Sequence, residues 1–167
     1  PGTKVALKGP TDLVKCNRQW HQLDRYTYLF RENCAGSARL SAAFRKAVGA
    51  KRVAPPEDLK YGKQYDLLND RVFERKKKEA KDREAFVNHY APNCGTFSSA
   101  QAQYQQRSMD YPYGDDNRSL GPLRDTVVQD SKIAVRVATL CKIHHALGDA
   151  SSIEHCWPTA MLQFESF

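Results

Sequence analysis

The sequence predicts an open α/β fold, and three stretches carry that prediction. Tyr26-Thr27-Tyr28-Leu29-Phe30 is a β-prone run that passes through a small-residue loop into a helical pattern. Ala85-Phe86-Val87 leads through Pro92 and Gly95 into helix-forming residues from Ser99 to Gln106. A helical stripe over 123–147 stops at Gly148 ahead of another strand-like run, Ser151 to Cys156. Strands alternating with helices imply a sheet whose ligand sites lie at the carboxyl ends of its strands. With 167 residues the chain suits one domain with a real core.

Residues 1–24 have no clear periodicity and are expected to form an N-terminal arm, with a short helix around 12–22 and Trp20 anchoring it on the body. The α/β domain is expected over 25–167. In its first unit the strand 26–30 ends in Arg31-Glu32-Asn33-Cys34-Ala35-Gly36-Ser37. Leu40, Phe44, Ala47 and Val48 then share one helical face, and Gly49 is a natural C-cap. Such a loop turns backbone N–H groups and the helix dipole toward a ligand. Glu32 at the strand end suits a donor-rich ligand such as a ribose or an ammonium group.

Lys51 to Ala54 is a short second strand stopped by Pro55 and Pro56. Glu57 or Asp58 follows at about the 20-residue distance at which a nucleoside-binding unit places a ribose-binding acid; both also suit a solvated turn. Asp66 is placed to close a small-molecule site, and Asn69 or Asp70 to cap the next helix. Residues 71–84 are crowded with charge and have a thin apolar stripe, which predicts a mostly exposed helix with Glu74–Lys78 and Glu79–Arg83 pairs.

Cys94 stands in the turn after the 85–87 run. A thiol at a strand end, near a helix N-terminus and basic neighbours, suits a nucleophile; a small buried side chain has the same signature. Residues 100–107 are expected to be helical. The 108–122 connection is long, with Tyr111 and Tyr113 suited either to base stacking or to pinning the loop. Ile133, Val137, Leu140, Cys141, His144 and Leu147 mark the core face of the 123–147 helix. Glu154 is predicted as an acid within an apolar-flanked strand, which calls for a partner. A further helix is expected to start within 159–167.

Lys plus Arg exceeds Asp plus Glu by 26 to 19, a net charge of +7 that permits an acidic partner such as nucleic acid without requiring one. Five cysteines form no CxxC pair and no zinc-ligand spacing, so no metal site is expected and the thiols read as reduced, in an intracellular compartment that could be nucleus or organelle. No apolar run approaches the ~18 residues that span a bilayer. Pro1 as first residue is read as a processed form or part of a longer chain.

Three segments together carry a resemblance. Glu32-Asn33-Cys34-Ala35-Gly36-Ser37-Ala38 resembles the cofactor-binding acid-Leu-Phe-Ala-Gly-x-Gly motif of DNA cytosine-C5 methyltransferases. Pro92-Asn93-Cys94-Gly95-Thr96-Phe97-Ser98 resembles the Pro-Pro-Cys-x-x-Phe-Ser motif of the family's nucleophile, and Ile153-Glu154-His155 resembles its Glu-Asn-Val motif. The likeness runs over 26–160. It departs at Ala38 and Arg39, where glycines are usual, at Asn93 for proline and at His155 for asparagine. The Gln-x-Arg-x-Arg segment, the target-recognition domain and the closing motifs have no counterpart.

The resemblance implies a Rossmann-like, mostly parallel sheet with helices on both faces, a truncated methyltransferase-like fold, and S-adenosylmethionine as cofactor. It implies Cys94 and Glu154 as catalytic residues, and Glu32, Cys34, Ala35, Gly36, Ser37, Asp58 and Asp66 around the cofactor. DNA is then the partner of an active domain. A non-catalytic subunit that reuses the fold within a larger protein assembly is the alternative, and a basic nucleic-acid-binding module a third.

Overall fold

The computed structural model describes residues 13–16, 19–97, 107, 111–114, 124–155 and 161. The chain begins with strands β1 (Leu13–Cys16) and β2 (Gln19–Gln22), paired antiparallel. This corrects the helix expected around 12–22. Leu13-Val14 and Trp20-His21 are β-prone pairs, and only two residues separate the strands, so cross-strand bonding prevails over a short isolated helix. The Trp20 side chain lies outside what is described.

The body holds a three-stranded parallel sheet in the order β3 (Tyr28–Asn33), β4 (Ala85–Tyr90), β5 (Ala150–Ile153). Beside β3 the predicted second strand is reduced to two parallel bridges, Phe30 to Val53 and Asn33 to Glu57. Pro55 and Pro56 lie between them, and proline has no N–H to give a ladder. The fold is thus mixed α/β, and a Rossmann-like class is compatible with it.

Helices cover both faces. Helix α1 (Arg39–Val48) packs on one, with Phe44 stacked on Phe30 at 3.9 Å between ring centroids. Helices α2 (Asp70–Lys81) and α3 (Arg124–Ala146) pack together on the other, where His144 meets Asn88 and Tyr90. Of the two capping residues expected, Asn69 caps α2 through its side chain and Asp70 is the first residue of the helix. The stripe on α3 is deeper than the sequence suggests: Val127, Ala134, Val137, Ala138 and Leu140 are all buried. Leu67, Ala80, Tyr90, Val137 and Leu140 make one core cluster, and each large side chain there contributes roughly 1.5–3 kcal/mol of burial.

Helix α2 departs from expectation in its charges. Lys76 is buried, bonded to Glu57 and Glu79, and Arg31 of β3 reaches Glu57, Glu79 and Glu84. Glu74 pairs with Lys77, Lys78 with Asp82, and Arg83 with the fully buried Asp149, so neither predicted pair on this helix forms. The interior draws Glu79 and Arg83 away from each other. A 3-10 turn at Lys63–Tyr65 leads into an Asx turn, where the Asp66 carboxylate accepts from Leu68 N–H. Glu154 lies just past the end of β5 rather than within it. The helices expected over 100–107 and 159–167, and most of the 108–122 loop, lie outside the described residues. No described helix is long and apolar enough to cross a membrane.

Candidate functional site

Because β3, β4 and β5 are parallel, the loop after each leaves from the same edge of the sheet. These are the Cys34–Ser37 loop, the Cys94 turn and the Glu154 segment. A cavity of about 540 Å³ opens at this edge, lined by Glu32, residues 34–37, Arg39, Leu40 and Ala43 of α1, Ala91 and Glu154.

The first loop turns sharply. Cys34, Gly36 and Ala38 have φ of 55°, 49° and 55°, a left-handed backbone that glycine adopts freely and the other two do not. The chain around it fixes that shape. Ala35 N–H donates to Glu57 O at 2.9 Å, Gly36 N–H to Asp58 Oδ2 at 2.9 Å, and Tyr61 O–H to Gly36 O at 3.1 Å. Asp58 also accepts from Lys60 N–H. Glu32 accepts from Ser41 N–H at 2.7 Å, which sets its carboxylate against the positive end of α1. Gly36 keeps an open side: a Cβ there would meet nothing within 4 Å. Burial pushes the Cys34 thiol up to about 12, so it stays protonated at neutral pH.

The second turn is tied to α3. Asn93 accepts from Gly95 N–H and donates to Asp130, and Thr96 O–H donates to Asp130 at 2.7 Å. Arg107 lies 3.9 Å over the Phe97 ring and donates to Thr96, Ser131, Val127 O and Pro112 O. Burial lowers its guanidinium only to about 10, so it stays charged. Cys94 O accepts from Phe97 N–H, and the Cys94 side chain is half-buried.

The third segment meets the second, with the Phe97 and His155 rings edge to face at 5.1 Å. Glu154 is set by its N–H, which donates to Tyr90 O at 2.8 Å.

The sequence-predicted residues therefore divide. Glu32, Cys34, Ala35, Gly36, Ser37 and Glu154 line one cavity, and Asp58 braces it from behind. Cys94 lies at the same edge, three residues beyond the lining residue Ala91, but outside the lining itself. Asp66 is also outside it, held in its own turn.

His89 and Ser152 were missed by sequence reasoning. His89 Nδ1 is 2.9 Å from Ser152 Oγ, and its Nε2 is 3.5 Å from Glu154 Oε2. The signal was the polar pair Asn88-His89 inside an otherwise apolar central strand, which needs internal partners.

A pocket of this size suits a nucleoside-sized ligand, and its donors and acceptors are backbone groups and carboxylates rather than a metal-ligand set. No protein-family model, curated protein or solved structure matches this chain.

Proposed function

We propose that the chain is an S-adenosylmethionine-dependent cytosine-C5 methyltransferase-like domain. The observation that carries this reading is that the Gly36 loop, the Cys94 turn and Glu154 follow three parallel strands at one edge of the sheet, in the chain order of the three motifs, with the first and last lining one cavity. The open side of Gly36 and the carboxylate-lined cavity fit an adenosyl amino acid. The 34–37 loop, through the open side of Gly36, and Glu32 would lie against it, with Asp58 fixing the loop. When bound, the cofactor supplies an electrophilic methyl group.

The protein's own residues do the remainder. A cytosine flipped out of duplex DNA would present C6 to the Cys94 sulfur, which adds as thiolate and pushes electron density toward C5 and N3. Glu154, with its carboxyl protonated, would donate a hydrogen bond to N3 and so offset the negative charge developing there.

The test is calorimetry of the full chain with S-adenosylmethionine, paired with trapping on 5-fluorocytosine duplex DNA. Saturable heat and a covalent adduct lost in Cys94→Ser are expected. No heat at millimolar cofactor overturns the reading.

A second reading is a non-catalytic subunit that reuses the fold within a larger assembly. It is favoured by the loop's own bonding, since Asp58 and Tyr61 already occupy both the N–H and the C=O of Gly36. Binding of neither ligand, with the fold intact, would select it.

A further inference from the structure

An acid that must hold a ring nitrogen needs a fixed direction and a proton supply. The Glu154 side chain is 75 % exposed, and its backbone bond to Tyr90 leaves the carboxyl free to swing. What faces it is His89, 8 % exposed near the carboxyl end of β4, with Ser152 at the other ring nitrogen. The imidazole is bracketed at both nitrogens and cannot turn over without losing both neighbours.

We propose that His89 is a positioning residue, which aims the Glu154 carboxyl into the cavity and passes it a proton, with Ser152 fixing which nitrogen carries hydrogen. The inference rests on the methyltransferase-like reading. A hydrogen bond at one ring nitrogen of a histidine decides what the other can do. Where Ser152 O–H donates to Nδ1, Nε2 carries the hydrogen and donates to the Glu154 carboxylate. Where the ring is protonated, Nδ1–H donates to Ser152 Oγ and Nε2–H to Glu154.

In that second state the proton has a complete path. The Nε2–H bond breaks as the carboxylate takes the proton, and the carboxyl then gives it to N3 of the pyrimidine. Meanwhile the S–C6 bond forms and the C5=C6 electron pair moves into the ring. Imidazole ends neutral, the carboxylate ends charged, and the added proton balances the thiolate's negative charge. Of the neighbouring charged and titratable groups, Glu32 is the register partner of His89 on β3 and already bonded to Ser41 N–H, while Cys34 and Arg39 line the cavity that Glu154 also lines. Among the described residues the two ring nitrogens are met by Ser152 and Glu154, so the hand-off runs through Glu154.

Two measurements on the full chain test this. The first is the ¹⁵N spectrum of the histidine rings, with His89 assigned by loss of its signals in His89→Gln. Glu154→Gln is expected to move the His89 Nε2 resonance, and Ser152→Ala the Nδ1 resonance. Unmoved resonances overturn the proposal, whether or not the chain transfers methyl groups.

The second is the rate of adduct formation on 5-fluorocytosine DNA across pH. Ser152→Ala, at an exposed position, and His89→Gln are each expected to slow trapping by about 10-fold or more and to flatten its fall with rising pH, with cofactor affinity unchanged. Trapping with the wild-type rate and profile in both variants overturns the proposal. Failure of the wild type to trap DNA or bind cofactor removes the methyltransferase reading instead, and the ring spectra then decide the His89 contact alone.

Discussion

Replacing Lys76 by methionine is expected to cost about 3–5 kcal/mol of folding stability, the usual penalty for removing one partner of a buried ion pair. The side chain is 5 % exposed, and methionine keeps most of the apolar stem while removing the ammonium group. In the native network two cations, Arg31 and Lys76, face Glu57, Glu79 and Glu84. Glu84 is the most exposed of the three acids and keeps partial hydration. Without Lys76, Arg31 alone must serve Glu57 and Glu79, at 3.5 and 2.8 Å, although Arg75 still touches Glu79 from the solvent side. The uncompensated charge falls on Glu57, whose backbone accepts from Ala35 N–H and so holds the Gly36 loop. Urea unfolding at pH 7, followed by circular dichroism, reads the effect. With a slope of about 2 kcal/mol/M, the midpoint should fall by roughly 1.5–2.5 M. The double variant Lys76→Met with Glu57→Leu should lose less than the two singles summed, because it removes both charges of one pair. A loss below about 1 kcal/mol in Lys76→Met would refute the reasoning, since the pair would then be exchanging freely with water.

The remaining expectations concern protonation. Burial depresses the His144 imidazole to about 4, below the ordinary histidine value near 6.5. The unfolded chain therefore binds the extra proton first, and stability falls as pH drops from about 6.5 to about 4, by about 3 kcal/mol in all. Below that window the effect is complete. Equilibrium unfolding of His144→Gln across this range should be flatter than that of the wild type, and parallel curves would count against the assignment. Burial also raises the Cys34 thiol to about 12 and the Cys141 thiol to about 11. At pH 8 Cys34 should alkylate about three orders of magnitude more slowly than a free thiol, and Cys141 about two. Peptide mapping after iodoacetamide treatment checks this, and rapid labelling of either in the folded protein would contradict it.

Local pattern carried much of this architecture because several residues speak for themselves. Leu40 and Phe44 mark α1, Gly49 ends it, Asn69 caps α2, and the repeat from Ile133 to Leu147 draws α3. What local pattern misses depends on partners distant in sequence. Lys76 looks like any lysine of a charged helix until Glu57 is brought beneath it, and Arg83 looks paired with Glu79 until Asp149 arrives 66 residues later. β1 and β2 are marginal alone and gain their form from each other. The same holds at the site. Gly36 and Glu154 were legible as motif residues, whereas His89 and Ser152 belong to no motif and become neighbours only because β4 pairs in parallel with β5.

Ala38 stands where the resembled family usually has glycine, yet it keeps a glycine-like backbone, and Cys34 does the same at the other end of the 34–38 loop. A side chain in that conformation is disfavoured by about 1–2 kcal/mol. The loop's curvature is therefore imposed from outside, by the segment around Glu57, Asp58 and Tyr61, and does not come from its own composition. Drift in the loop's letters can leave its contour intact while the supporting segment stands, and damage to that segment would uncoil a loop whose own sequence is untouched.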